Sequence, residues 1–392
     1  MSTPPPSALP CPPGAAERHI VCVVAARPNL MKMAPLMAAL GALEPALALT
    51  LVHTGQHYDA AMNAQYFGSL ALPQPDINLG VGSGSHAAQT AHVMERFEAV
   101  LLARRPAAVL VVGDVNSTLA CALVAAKENV PVIHVEAGLR SYDRSMPEEI
   151  NRVLTDQLST LLFTSEQAGR AQLLAEGIDG ARIHFTGNVM IDTLRRQLRH
   201  AVPLGRQLSA AGRAGFLRGK AGHGVVTLHR AANVDDGATL AKLMRTLGRV
   251  SAHLPLIFPV HPRTRAMLDR IGVDQAALPA VLLLPPQGYL EMLGLMQGAR
   301  LVLTDSGGVQ EETTALGVPC LTLRENTERP VTVSEGTNIV AGLDPDAIVA
   351  LALETLRTGG KRGAIPALWD GHAAERVAAV VQAWLGGARA AA

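Results

Sequence analysis

The run His19-Ile20-Val21-Cys22-Val23-Val24-Ala25-Ala26 is followed without a break by Arg27-Pro28-Asn29-Leu30. A continuous, Val-rich apolar run reads as a strand buried on both faces, as in parallel sheets whose crossovers cover both sides. The turn after it contains no glycine. A dinucleotide-binding domain would place GxGxxG there, so NAD or FAD binding at this turn is disfavoured and no cofactor is expected.

Working outward, runs of the same kind recur at 47–53, 107–113, 131–135 and 161–164, with helical patterns between them such as 87–104 and 117–128. The rhythm resumes at 224–228, 256–259, 281–284, 301–304 and 318–323. Strand–helix alternation implies parallel sheets with right-handed crossovers, hence an α/β protein. The stretch 195–222, rich in Arg and Gly, carries no strand pattern and interrupts the series. The reading is therefore two Rossmann-like domains joined near 187–192, with a site in the cleft between them. The first covers 19–186 plus a C-terminal helix at about 373–386, and the second covers 187–372. Residues 1–18 hold six prolines and lack both a basic start and an apolar h-region, so they read as a disordered tail. The end from Gly386 is expected to fray.

Composition excludes several classes. Of 392 residues, 48% are hydrophobic and 17% charged, enough to build a sizeable core. Lys and Arg (34) nearly balance Asp and Glu (33), and aromatics are 3%, which argues against a nucleic-acid partner. Apolar runs break far short of a membrane span. The four cysteines, Cys11, Cys22, Cys121 and Cys320, form no CxxC and suit a reducing, cytoplasmic setting. His53 and His57 lack a partnering carboxylate at ligand spacing, so no metal is expected.

The strongest local signal is Thr304-Asp305-Ser306-Gly307-Gly308-Val309-Gln310-Glu311-Glu312. A strand ends, two glycines admit a ligand to the backbone, and a helix begins that should stop at Gly317, with Pro319 beyond. Its amides and positive dipole end would suit a diphosphate, and Glu312 could accept from ribose hydroxyls. The plainer alternative is a tight turn capped by Asp305 or Ser306. A second signal is acids at strand ends: Asp114 after 107–113 and Glu136 after 131–135 should face one crevice. Asp114 could instead cap the helix at Ser117, and Glu136 could pair with Arg140. Glu148 reads first as part of a capping box, Ser145-x-x-Glu148, with Pro147 in the first turn and Arg152 as its i+4 partner. Arg27 and Lys32, His229-Arg230 and Arg329 also lie at strand ends or in loops, and suit a substrate with two phosphates. His229 is the candidate for proton handling.

These residues sit in a longer pattern. It comprises Arg27-Pro28…Lys32-Met-Ala-Pro-Leu36, His53-Thr-Gly-Gln-His57, Gly113-Asp114, His134-Val-Glu136-Ala-Gly-Leu-Arg140 and Pro147-Glu148-Glu149-Ile-Asn151-Arg152. It continues with Thr186-Gly-Asn188, Pro259-Val-His261-Pro, the 304–312 run and Thr327-Glu328-Arg329-Pro330. From about 19 to 340 the chain resembles the non-hydrolysing UDP-N-acetylglucosamine 2-epimerases. The resemblance implies a GT-B type fold, with the last helix crossing back onto the first domain. It implies a catalytic group of Asp114, Glu136, Glu148 and His229. It also implies substrate contacts, mainly to UDP, from Arg27, Lys32, Gln287, Met292, Ser306, Gly307, Gly308, Glu312 and Arg329. Departures are Ala25-Ala26-Arg27-Pro28-Asn29, where the family often has Gly-Thr-Arg-Pro-Glu, and Val-Asn-Ser-Thr after Asp114. Gln56-His57 is followed by Tyr58-Asp59, unlike the Gln-His-x-x-Gln stretch through which many bacterial members bind an activating second substrate molecule.

The implied reaction is C2 epimerisation of UDP-N-acetylglucosamine to UDP-N-acetylmannosamine. With no carbonyl beside C2 and no NAD, elimination of UDP to a 2-acetamidoglucal and its re-addition is the ready route. The expected partner is a UDP-sugar, the expected assembly a homodimer. The alternatives are an epimerase acting on UDP-2,3-diacetamido-2,3-dideoxy-glucuronate, a hydrolase, a glycosyltransferase, or a non-catalytic UDP-sugar-binding protein.

Overall fold

The computed structural model describes residues 18–55, 67–68, 70–273 and 278–390, the side chains of Arg27 and 388–390 excepted. The Pro-rich tail up to residue 17, Cys11 and the Gln56–Asp59 departure lie outside the described residues. The chain divides into two compact units: residues up to Thr193 together with those from Asp370, and Leu194–Trp369.

The first unit is built on a seven-stranded sheet in the order β3-β2-β1-β4-β5-β6-β7. Its strands are β1 (His19–Val24), β2 (Ala48–His53), β3 (Ile77–Asn78), β4 (Ala108–Val112), β5 (Val132–Ala137), β6 (Leu161–Thr164) and β7 (Ile183–Phe185). Every pairing is parallel. β1, β4 and β5 are buried at every position, as their largely apolar character suits; His19, His134 and Glu136 are the polar residues among them. Val21, Val23, Val109 and Val111 pack with Phe97 and Val93 from helix His86–Arg104. That helix is capped by Ser85, whose side chain accepts from the Ala88 amide.

The second unit carries six strands in the order β10-β9-β8-β11-β12-β13. They are β8 (Gly224–Thr227), β9 (Leu256–Pro259), β10 (Val281–Leu284), β11 (Leu301–Thr304), β12 (Cys320–Thr322) and β13 (Asn338–Val340), again all parallel. Its core joins Val226, Phe258 and Leu303 to Leu243 and Leu247 of helix Gly237–Ser251. No strand interrupts 195–222, which folds as helices and turns.

In each sheet the strand order reverses between two neighbours, β1 and β4 in the first and β8 and β11 in the second. Open α/β sheets gather ligands at such points, beyond the carboxyl ends of the strands, because adjacent crossovers there leave in opposite directions and open a crevice.

Three strands escaped the reading of the sequence: β3, β7 and β13, each two or three residues long at a sheet edge. Each is too short to show as an apolar run, unlike the edge strand β10, whose four apolar residues do. The frayed end expected from Gly386 is also corrected, since the last helix runs Ala373–Ala390 through the glycine pair. It packs on helix Arg27–Gly41 within the first unit. Its start is held by Asp192, whose carboxylate accepts from the amides of Ala373 (3.1 Å) and Ala374 (2.7 Å). Asp192 thus serves as an N-cap supplied from elsewhere in the chain, satisfying amides that are otherwise buried without partners.

Replacing Asp192 by Ala should destabilise the first unit by about 1–3 kcal/mol, the cost of leaving buried donors unpaired. Thermal unfolding of the purified variant would show this as a lowered midpoint, with Asp192→Asn intermediate.

Candidate active site

At the reversal in the first sheet, β4 is followed by Gly113, with φ +69°. A Cβ there would lie 3.2 Å from Glu136 Oε2 and 3.3 Å from both Asn29 Nδ2 and Lys32 Nζ. Backbone conformation and crowding both demand glycine at this position. Asn29 ties the turn after β1 together: its Oδ1 accepts from the Ala26 amide (3.0 Å) and its Nδ2 donates to Val112 O (2.9 Å). Ala26 is extended, φ −121° and ψ 164°, so an alanine fits where relatives often place a small polar residue. Arg27 opens the helix Arg27–Gly41, and its side chain is outside the described set.

Glu136 is held in an uncommon backbone conformation for a non-glycine residue, φ +76°. The register of β5 on β6 slips between Val135 and Ala137, which makes Glu136 the bulged residue. A bulge re-aims one side chain while the strand continues, at a backbone cost of order 1–3 kcal/mol. Glu136 is only 7% exposed and its carboxylate is ion-paired with Lys32, itself buried. The alternative pairing with Arg140 is overturned: Arg140 donates to Glu176 and pairs with Asp156 instead. An i,i+4 pair needs a helix, and 136–140 is strand end and turn.

Asp114 does not cap the next helix, whose N-cap is Val115 with no side-chain cap. Its carboxylate accepts from Arg152 Nη2 at 2.6 Å, and its carbonyl accepts from Asn151 Nδ2 at 2.8 Å. Arg152 also donates from Nη1 to Glu149 (2.9 Å), which in turn accepts from the amides of Ser141 and Tyr142. The capping box is likewise corrected. The N-cap of Pro147–Leu158 is Met146, and Ser145 Oγ donates to Asp143. Proline at the first helical position moves the cap one residue later than the box pattern assumes. Glu148 is therefore half-buried on the first turn, with no hydrogen bond or ion pair among the described residues.

At the reversal in the second sheet, Ser306 is the N-cap residue of helix Gly307–Leu316, and no side chain caps it. The helix ends on Gly317 in the left-handed region, φ +70°. Its opening amides remain available for an anion, on the positive end of the helix dipole. A Cβ on Gly307 would come within 2.8 Å of Glu328 Oε1. Glu328 pairs with Arg230 (3.1 Å) and Arg324 (2.8 Å), and Arg329 pairs with Glu311 (2.8 Å). Asp305 turns away from this helix. It accepts from the amides of His229 and Arg230 and from Asn233, and lies 3.2 Å from His229 Nδ1. Gln287 donates to Pro285 O after β10, and Met292 is half-buried on the first turn of Tyr289–Gln297.

Glu312 is buried, and burial pushes its carboxyl up to about 8; the Tyr289 hydroxyl bonded to it pulls the other way, and the charge of Glu311 adds to the rise. Its Oε1 has no hydrogen-bond partner among the described residues. A buried acceptor left open is what a ligand hydroxyl would fill.

The strand-end acids and Lys32 thus gather at one edge of the first unit, and His229, Ser306–Gly308, Glu312 and Arg329 at one edge of the second. Arg152, Glu149, Asp305 and Glu328 were missed as site residues. Asp305 carried the signal that singled out Asp114, an acid closing a strand. The others reach their partners through tertiary contacts that spacing does not show.

Two all-parallel α/β units, each with ionic groups collected where its strand order reverses, are the components of a GT-B fold. Residues 42–382 match the family described as UDP-N-acetylglucosamine 2-epimerase. The chain belongs to that family and is an isomerase. The UDP-N-acetylglucosamine 2-epimerase of Methanococcus maripaludis is 40% identical over 340 residues, covering 86% of this chain and 91% of that one. The UDP-2,3-diacetamido-2,3-dideoxy-D-glucuronate 2-epimerase of Pseudomonas aeruginosa is 40% identical over 341 residues, covering 86% and 92%. The crystal structure of the Methanocaldococcus jannaschii UDP-GlcNAc 2-epimerase in complex with UDP-GlcNAc and UDP superposes with a TM-score of 0.83 at 38% identity, covering 93% of this chain and 99% of that one.

Glu312→Gln should alter stability in a pH-dependent way. The folded protein holds this proton up to about pH 8, whereas the unfolded chain releases it near 4.5, so the wild-type loses stability as pH rises between those values. The variant, free of this linkage, should gain on wild-type across that window. Melting temperatures at pH 5 and pH 8 check it, and a constant difference between the two proteins contradicts it.

Proposed function

We propose that this protein interconverts UDP-N-acetylglucosamine and UDP-N-acetylmannosamine by eliminating and re-adding UDP. One observation carries the reading: acids and a lysine crowd the sheet reversal of the first unit, while an uncapped, glycine-opened helix begins at that of the second. The first set suits the proton chemistry at C2, and the second suits a diphosphate.

In this reading UDP rests on the opening amides of Gly307–Leu316, with Arg27 and Arg329 balancing its charge and Lys32, Gln287 and Met292 completing the substrate contacts. Open Glu312 Oε1 accepts from a ribose hydroxyl. As C2–H breaks, the C1–O bond to diphosphate breaks with it, and the growing charge meets donors already in place. Inversion then needs proton transfer at both faces of the glycal. Asp114, Glu136 and Glu148 share that work. They start from different electrostatic settings, Glu136 paired with Lys32, Asp114 with Arg152, and Glu148 unpaired among the described residues. Acids so differently matched are suited to opposite roles. His229 assists departure and return of the phosphate.

A homodimer in a reducing, cytoplasmic setting belongs to the same proposal. Exposed Leu102, Ile150 and Leu154 on first-unit helices support an apolar contact surface, and the buried free thiols Cys22, Cys121 and Cys320 support the compartment. The second reading, epimerisation of UDP-2,3-diacetamido-2,3-dideoxy-glucuronate, is favoured by the equal identity of the Pseudomonas relative.

Incubation with each UDP-sugar in D2O separates the two. Deuterium at C2 of a UDP-linked manno product from UDP-N-acetylglucosamine is expected. Labelling of the diacetamido-uronate alone transfers the assignment to that substrate, free sugar without UDP identifies a hydrolase, and no exchange with either overturns epimerisation.

A further inference from the structure

The Asp305 carboxylate is fully buried, 0% exposed, and does nothing for the helix that follows it. All its partners come from the segment after β8: the amides of His229 (3.0 Å) and Arg230 (3.0 Å), Asn233 Nδ2 (3.1 Å) and the His229 ring. Burial alone would raise its pKa. The His229 ring and the two amides outweigh burial and hold the group below the ordinary Asp value, so it stays ionised. An ionised carboxylate only accepts hydrogen bonds, so the nitrogen facing it, Nδ1, must carry a proton.

The surroundings keep the ring in this pose. Thr264 donates to Leu228 O (2.6 Å), tying down the end of β8. The His261 ring lies alongside with centroids 6.0 Å apart. Asn233 bridges Asp305 to Leu323 O (3.0 Å). The His229 side chain is still 40% exposed, and its Nε2 has no partner among the described residues.

We infer that Asp305 is a positioning residue for His229, fixing its ring and its Nδ1–H tautomer so that Nε2 is the atom that exchanges a proton with the departing and returning diphosphate. The inference rests on the role proposed for His229. His229 then gives the proton on Nε2 to the departing diphosphate as the C1–O bond breaks, is left neutral with Nδ1–H toward Asp305, and takes the proton back when UDP returns. The carboxylate behind it stabilises the imidazolium on either side of that exchange. A merely structural Asp305, bridging β11 to the segment after β8, would serve its two amides equally well with any residue at 229.

Turnover and binding of Asp305→Asn, His229→Asn and the double variant separate these cases. Asp305→Asn should lower kcat about a hundredfold, the low end of a general acid–base contribution, with KM and the dissociation constant for UDP little changed. The double variant should be no slower than His229→Asn alone, because residues acting through one another are not additive. Equal losses from Asp305→Asn in both backgrounds, loss of UDP binding together with kcat, or full activity of His229→Asn would each overturn the inference. Nitrogen-15 NMR of histidine-labelled protein, with the His229 signal assigned from His229→Asn, needs no substrate. A neutral ring protonated on Nδ1 in the wild-type, shifting in Asp305→Asn, supports the inference even if the sugar proves to be a different one. A neutral ring protonated on Nε2 refutes it.

Discussion

An ionised carboxylate taken out of water must be given donors or a cation, or the fold loses several kcal/mol for each one. In this protein several of the groups under that requirement lie at or just past the ends of strands. Glu136 meets it with Lys32, Asp114 with Arg152, and Asp305 with two amides, an asparagine and a histidine. Glycine at 113, the bulge at Glu136 and the two hydrogen bonds of Asn29 all serve to bring these partners together. Glu312 is the exception, holding its proton instead of finding a cation.

The two units answer the same constraint differently. In the first, long-range side chains cross the edge of the sheet: Arg152 links Asp114 to Glu149, and Glu149 fixes the amides of Ser141 and Tyr142. These links stiffen that edge of the first unit, where neither Asp114 nor Glu149 is spent on a helix cap. In the second, backbone amides do more of the work, and acids such as Glu311 and Glu328 hold arginines in place. In the proposed reaction the first edge would handle protons and the second would hold a fixed negative charge.

Much of this was legible beforehand because interior strands announce themselves. A run such as 19–24 must be apolar on both faces, so strand–helix rhythm and the acids closing β4 and β5 could be read directly. Partner choice could not. Glu136 with Arg140 and Glu148 with Arg152 are sound pairs on a helix, yet one lies on a strand end and in the other Arg152 is drawn to Asp114 and Glu149. Lys32 and Glu136 are 104 residues apart, a proximity that only the β1–β4 neighbour relation creates. The edge strands β3, β7 and β13 were invisible for the complementary reason, being too short and too polar to leave a pattern.

The positive φ of Glu136 has an evolutionary corollary. Local backbone preference at that site would select glycine, and under the role proposed for Glu136 the usefulness of a carboxylate there opposes the drift. A descendant lineage relieved of epimerisation, keeping its nucleotide cradle for sensing alone, would be free to relax to glycine at this codon. The identity of a single residue on the bulge would then mark, in any related chain, whether chemistry is still under selection.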